Sequence, residues 1–275
     1  MPRLKVLITV TTYPLPSKSY DELVCTAGIL EDGSWIRIYP VPFRTLVGEK
    51  RFRKYQWIEI ELNRKLSDFR PESYSPENAD LSDVELLETI DTQKGRWLKR
   101  KDICLQDVYT SMEQLIQESK KPRIKSLATF KPTKVIDFII EPTDREWKKS
   151  WVEQRKQLDM FIQSKEDEDI AEIIEKIPYK FSYLFLDDKG KKRKLMIEDW
   201  EIGQLYRNCL EKANGNQEMA LKKVAQKYKD EFINKKDLYF FLGTTKLRHF
   251  TSRNPFVIIG VFYPPKEAPN LFSQF

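Results

Sequence analysis

The stretch from Glu22 to Arg44 constrains the fold more than any other part of this chain. It holds two short apolar runs joined at Glu31-Asp32-Gly33-Ser34, and an Asp-Gly pair between such runs is a strong hairpin signal. The second run alternates: Ile36 and Ile38 share one face, while Trp35, Arg37 and Tyr39 share the other. If the isoleucine face is core, two rings and a guanidinium stand together on a sheet surface. Small β-barrels that bind single-stranded nucleic acid use such a surface to stack bases and hold phosphates. The alternative is structural, with both rings packed beneath another element and Arg37 in a buried polar contact.

The chain has 275 residues, 40% of them hydrophobic and 33% charged, enough for one large or two modest soluble domains. It lacks the run of about 18 apolar residues that a membrane-spanning helix needs, and its N-terminus leads directly into an alternating strand without the features of a signal peptide. Cys25, Cys104 and Cys209 are scattered and form no Cys-x-x-Cys pair, which fits reduced thiols and a cytoplasmic location. His249 is the only histidine, so a metal site is not expected. The net charge of +6 permits a polyanionic partner without requiring one.

Taken in order, Leu4–Thr12 is a β-branched strand that ends at Tyr13-Pro14-Leu15-Pro16. Beyond the hairpin, Arg51, Phe52, Arg53, Lys54 and Tyr55 interleave basic and aromatic side chains, followed by the strand Trp57–Leu62. Residues 67–80 carry Pro71 and Pro76 among polar residues and read as a loop. After the basic cluster Lys94–Lys101, the spacing of Leu105, Val108, Tyr109, Met112, Leu115 and Ile116 predicts one amphipathic helix ending near Pro122. Leu127–Phe130 and Val135–Ile140 are further strands. From Asp144 to Lys176 there is no Gly or Pro, and Trp147, Trp151, Leu158, Phe161 and Ile162 form a helical stripe.

The last third returns to strands. Tyr179–Leu186 alternates, Asp187-Asp188-Lys189-Gly190 makes a turn, and Lys191-Lys192-Arg193-Lys194 gives the returning strand a basic tip. Two helices follow, around Trp200–Leu210 and Gln217–Ile233. Strands Leu238–Leu242 and Phe256–Phe262 then flank the polar loop that contains Lys246, Arg248 and His249.

Val24-Cys25-Thr26-Ala27-Gly28 followed by Trp35-Ile36-Arg37, Ser126-Leu127-Ala128, Phe181-Ser182-Tyr183, Leu195-Met196-Ile197-Glu198-Asp199, Phe241-Leu242-Gly243 and Phe256–Gly260 occur in one order along the chain. With that order the chain resembles the dual OB-fold domain of bacterial conflict and defence systems. It departs from that pattern at Tyr13–Pro16 and in the long helical middle. The resemblance implies nucleic-acid recognition and supplies no catalytic residue.

The fold class expected is α+β and mainly β, with two small OB-like barrels joined and flanked by helices. Residues 1–143 would form the first barrel with one helix, 144–176 a helical linker, and 177–275 the second barrel with two helices. The binding residues expected are Trp35, Arg37, Tyr39, Arg44, Arg51, Arg53 and Lys54 on the first barrel. On the second they are Phe181, Tyr183, Phe185, Lys191, Lys192, Arg193, Lys194, Lys246 and Arg248.

With no phosphate-binding glycine loop and no dinucleotide fingerprint, neither nucleotide hydrolysis nor a cofactor is expected. The function expected is non-catalytic binding of nucleic acid, single-stranded above all, by a recognition subunit that works with an effector protein and not with a membrane. Two other classes stay open: a metal-dependent nuclease using Asp137, Glu141, Glu146 and Lys148, and a protein-interaction module.

Overall fold

The computed structural model describes residues 3–12, 24–42, 46, 51–144 and 175–267. Strands β1 (Arg3–Thr11), β2 (Val24–Leu30), β3 (Trp35–Val41), β4 (Gln56–Arg64) and β5 (Ser73–Pro76) close into a five-stranded barrel. Their order is β1-β2-β3-β5-β4, with β4 returning to pair with β1. Every neighbouring pair is antiparallel except β3 with β5, which is parallel. A sixth strand, β6 (Glu85–Thr89), adds outside β4.

The hairpin signal is confirmed in detail. At its turn the Asp32 carboxylate accepts from the Ser34 backbone N–H at 2.9 Å and from the Ser34 hydroxyl at 2.6 Å. Gly33 sits at φ +82°, which an L side chain resists. Alternation then fills the barrel: Val6, Ile8, Ile36, Ile38, Ile58, Ile60 and Leu62 point inward and are buried.

The other face of the barrel's first two strands is equally apolar. Leu7, Val10, Ala27 and Ile29 pack with Trp97, Cys104, Leu127, Phe241, Ile259 and Phe262 in a second buried cluster, drawn from both halves of the chain. This outer face is an interface, and that is why β1 is apolar on both sides.

After the barrel come α1 (Leu98–Cys104) and then the C-terminal half, with β7 (Val108–Tyr109), α2 (Met112–Glu118), β8 (Leu127–Phe130), β9 (Lys134–Pro142), β10 (Tyr179–Leu186), β11 (Lys192–Met196), α3 (Trp200–Lys212), α4 (Gln217–Ala225), β12 (Tyr239–Thr244) and β13 (Phe256–Phe262). Helix α4 runs on into a π-helical segment, Gln226–Ile233. Two sheets form, β11-β10-β9 and β13-β12-β8-β7. They are joined where β8 continues into β9 through Lys131-Pro132-Thr133, and by a parallel bridge between Ile197 and Ile258. Phe130, Phe138, Phe181, Tyr183, Phe185 and Phe240 make their shared core, covered by Ala220, Val224, Tyr228 and Phe232.

Over the described residues the protein is thus α+β and mainly β, with a closed five-stranded barrel and four helices. Two expectations need correction. Strands β8 and β9, expected within a first block of 1–143, pair with β12 and β10, and the N-terminal barrel closes without them. Of the single helix expected from Leu105 to near Pro122, Met112–Glu118 (α2) is helical, while α1 ends at Cys104 before it. Val108–Tyr109 between them pairs with β8, and Ser111 starts α2 by accepting from the Gln114 N–H. Of the helical linker expected at 144–176, residues 145–174 lie outside the described residues.

Because the cluster around Phe241 is shared by both halves, they should unfold together. Phe241→Ala should destabilise the whole chain by about 3–5 kcal/mol in chemical denaturation. Two separate transitions, or a loss under about 1 kcal/mol, would contradict a shared core.

Candidate nucleic-acid interface

The first expected face, Trp35 with Arg37 and Tyr39, is closed over by the C-terminal half. Trp35 packs edge-on against Phe241, with ring centroids 5.1 Å apart. Arg37 is 3% exposed and donates to Ser73 Oγ at 3.3 Å, Ser126 Oγ at 2.8 Å, the Ser126 carbonyl at 3.3 Å and the Thr244 carbonyl at 3.4 Å. Its donors serve protein oxygens, so the structural alternative holds for Trp35 and Arg37. Tyr39 is half-buried at the edge of this seam, with the Lys65 ammonium 4.6 Å from its ring centre.

The other expected residues scatter. Arg51 and Arg53 are exposed, and Arg44 lies outside the described residues. Lys54 is half-buried and bonded to Glu201 at 2.7 Å, with Asp199 at 3.9 Å, so it links the halves. Burial pushes the Asp199 carboxyl up to about 7 against the attraction of Lys54. Phe181, Tyr183 and Phe185 are core, at most 3% exposed, because β10 is covered on that face by helices and β12.

At the basic tip, Arg193 is held by the buried Asp187 at 2.9 Å and Lys194 by Glu141 at 2.9 Å. Lys191 and Lys192 are exposed, with Glu113 4.0 Å from Lys191. Of the nuclease candidates, Asp137 is paired with Lys229 at 2.8 Å and Glu141 with Lys194, while Glu146 and Lys148 lie outside the described residues.

The structure gathers something else. Residues 65–72 join β4 to β5 in the first barrel, and residues 245–255 join β12 to β13 in the second half. These two loops meet. The Lys246 ammonium donates to the Ser67 carbonyl, and the Phe69 and Phe250 rings stack with centroids 4.7 Å apart. Phe69 is 36% exposed, Phe250 50%, Leu247 84% and Leu66 91%, a cluster of open apolar side chains at the loop tips. Arg248 is exposed beside them.

Buried polar bonds fix both loops from below. Asp68 accepts from Arg70 Nε at 2.9 Å, and Arg70 also donates to the Thr244 carbonyl. Burial alone would raise the Asp68 carboxyl, but Arg70 holds it well below the usual range. His249 is 2% exposed; its Nε2–H donates to the Ser119 carbonyl at 2.7 Å, and its Nδ1 accepts from the Thr244 hydroxyl at 2.7 Å. The lone histidine therefore anchors a loop.

Behind the tips lies a cavity of about 960 Å³ between the barrel and the C-terminal half. Tyr39, Lys65, Arg70, Lys180, Glu198, Thr245 and Lys246 are among its lining residues. Lys65 is pushed below the ordinary lysine value, first by burial and then by the neighbouring charges of Lys246 and Arg70, against the pull of Asp68. Asp68, Asp144, Glu198 and Asp199 line the same cavity, so cations and carboxylates share it. Lys246 was legible in sequence as a loop cation. Phe69 and Phe250 were missed, although an aromatic ring inside a polar, turn-rich loop has no core periodicity to explain it.

Burial lowers the His249 pKa below its ordinary 6.5. A depressed folded value means its stability contribution is present above the unfolded pKa and is lost as pH falls through the folded one. Relative to a His249→Gln variant, the parent's melting temperature should fall by about 2–4 °C between about pH 7 and pH 5.5. Parallel profiles would show that the ring protonates as freely folded as unfolded.

No curated protein matches the sequence. Among solved structures the chain is similar to one titled "Structure of murine DNA binding protein bound with ds DNA", at 9% identity and a TM-score of 0.31, the match covering 98% of each chain. A family model described as Domain of unknown function (DUF8758) matches residues 2–106, beginning one residue before β1 and ending just after α1. A second, described as Domain of unknown function (DUF8757), matches residues 108–275, from the first residue of β7 onward, and the chain belongs to that family.

Proposed function

We propose that this protein is a non-catalytic binder of single-stranded nucleic acid that works through the two meeting loops. The observation that carries the reading is the pairing of an exposed Phe69–Phe250 stack with the cations Lys65 and Lys246 beside it. Rings stack bases of any sequence, and basic side chains neutralise the phosphates between them.

Topology supports the choice of loops. In the C-terminal half, β9-β10-β11 reaches β13 through the Ile197–Ile258 bridge, and β13 pairs with β12 and β12 with β8, which continues into β9. Read as one curved strand, β8 and β9 complete the same circuit that β1-β2-β3-β5-β4 makes in the first barrel. On that reading both halves are OB-type barrels, and both meeting loops lie between the fourth and fifth strands. Barrels of this type bind oligonucleotides with that loop. The likeness to the dual OB-fold domain supports a role as a recognition subunit of a defence assembly, signalling to an effector protein.

An exposed apolar patch also fits a protein-docking surface, and salt separates the two. Binding of a short single-stranded oligonucleotide should weaken steeply with salt. Phe250→Ala should cost about 1–3 kcal/mol, roughly five- to more than a hundredfold in affinity. Lys246→Ala should lower the salt slope by about 0.7. Trp35→Ala should instead reduce stability. If Phe250→Ala and Lys246→Ala both bind like the parent at two salt concentrations, the loops are not the interface.

A further inference from the structure

We infer that the cavity behind the loop tips is a pocket for one extruded nucleobase of the bound strand, and that it selects a base carrying an amino group. This inference rests on the strand-binding reading above and adds a specificity to it. The cavity and the platform are continuous, because Lys65, Lys246 and Leu247 line the one and border the other. A base unstacked from its neighbours beside the Phe69–Phe250 stack thus has an enclosed space to enter. At about 960 Å³ the cavity falls within the range of sites that enclose small organic ligands.

The choice of base follows from Glu198. It is half-buried, lies between β11 and α3 and lines the cavity. Its backbone N–H is used by the Ile258 carbonyl at 2.7 Å, whereas its carboxyl has no hydrogen bond or ion pair among the described residues. The cation acting on it is Arg248, itself exposed at the loop tip. A desolvated carboxylate is costly unless a donor reaches it. Exocyclic amino groups are such donors: cytosine presents N4–H₂ and guanine N2–H₂, whereas thymine has no exocyclic amino group to offer. On the phosphate side, Lys65 and Lys246 stand at the mouth of the same space, where the nucleotide's own charge would remain.

The test uses the full chain and a series of single-stranded twelve-residue oligothymidylates, either unmodified or with one central dC or dG. The parent should bind the dC and dG oligonucleotides about tenfold more tightly than the all-thymine strand. Glu198→Met, which keeps the volume and removes both acceptor oxygens, should erase that difference. Thr245→Trp, which fills the cavity from its lining, should erase it too, with a thermal melt to confirm that each variant is folded. Equal binding of all three strands by the parent, or a preference that survives Glu198→Met, would overturn the pocket while leaving the strand platform intact. If none of the oligonucleotides binds but cytidine or guanosine monophosphate does, and Glu198→Met abolishes it, the pocket stands and the strand reading falls. Absence of both overturns both.

Discussion

The buried guanidinium of Arg37 is the constraint on which the arrangement of the two halves depends. A charge taken out of water is tolerated only when its donors are matched. Its partners come from three places far apart in sequence: Ser73 at the start of β5, Ser126 just before β8, and Thr244 at the end of β12. Glu72 reinforces the seam by accepting from both the backbone N–H and the hydroxyl of Ser126, each at 2.9 Å. The apolar cluster around Phe241 and Phe262 drives the halves together, but apolar contact is non-directional. The Arg37 network adds direction, since a small rotation of one half would leave a buried charge without its oxygens.

Thr244 carries this constraint outward to the loops. Its carbonyl accepts from Arg37 and Arg70, and its hydroxyl donates to His249. Arg70 belongs to the loop after β4 and His249 to the loop after β12, so one residue registers both loops against the seam. Exposed rings at loop tips ordinarily lose conformational entropy on binding a partner. Here the Phe69–Phe250 stack rests on buried hydrogen bonds, and much of that ordering is done before a ligand arrives.

Local patterns made the barrel legible. The Asp32-Gly33 turn, the Ile36/Ile38 alternation and the strand Trp57–Leu62 all appear where the residues place them. What the residues could not say is what covers the second face of a strand. Trp35 and Arg37 have the same alternation whether they meet a nucleic acid or Phe241 and Thr244, and that choice is made by contacts with residues up to about two hundred positions away. Phe181, Tyr183 and Phe185 illustrate the same limit, since a ring stripe on a strand serves a core as readily as a binding face. The strands β8 and β9 went to the wrong block for a related reason. Sequence adjacency suggested the first barrel, whereas pairing with β10 and β12 spans a long segment.

Charge is subject to the same distinction between a pattern and its surroundings. The run Lys191–Lys194 is the densest basic string in the last third of the chain, yet Glu113, Asp187 and Glu141 lie against it and offset its field. Lys65, Arg70 and Lys246 are dispersed in sequence and invisible as a run. Folding brings them together at one cavity, where Lys65 and Lys246 direct their ammonium groups to backbone carbonyls, of Tyr39 and Ser67, rather than to carboxylates. A carbonyl dipole satisfies a hydrogen bond without neutralising a charge, so both ammonium groups keep their charge at the cavity. The Asp68 carboxylate is bonded to Arg70 and also attracts Lys65, while neither lysine is bonded to a carboxylate among the described residues. Binding an anion there would offset the burial that chiefly depresses Lys65, together with the lesser effect of the Lys246 and Arg70 charges.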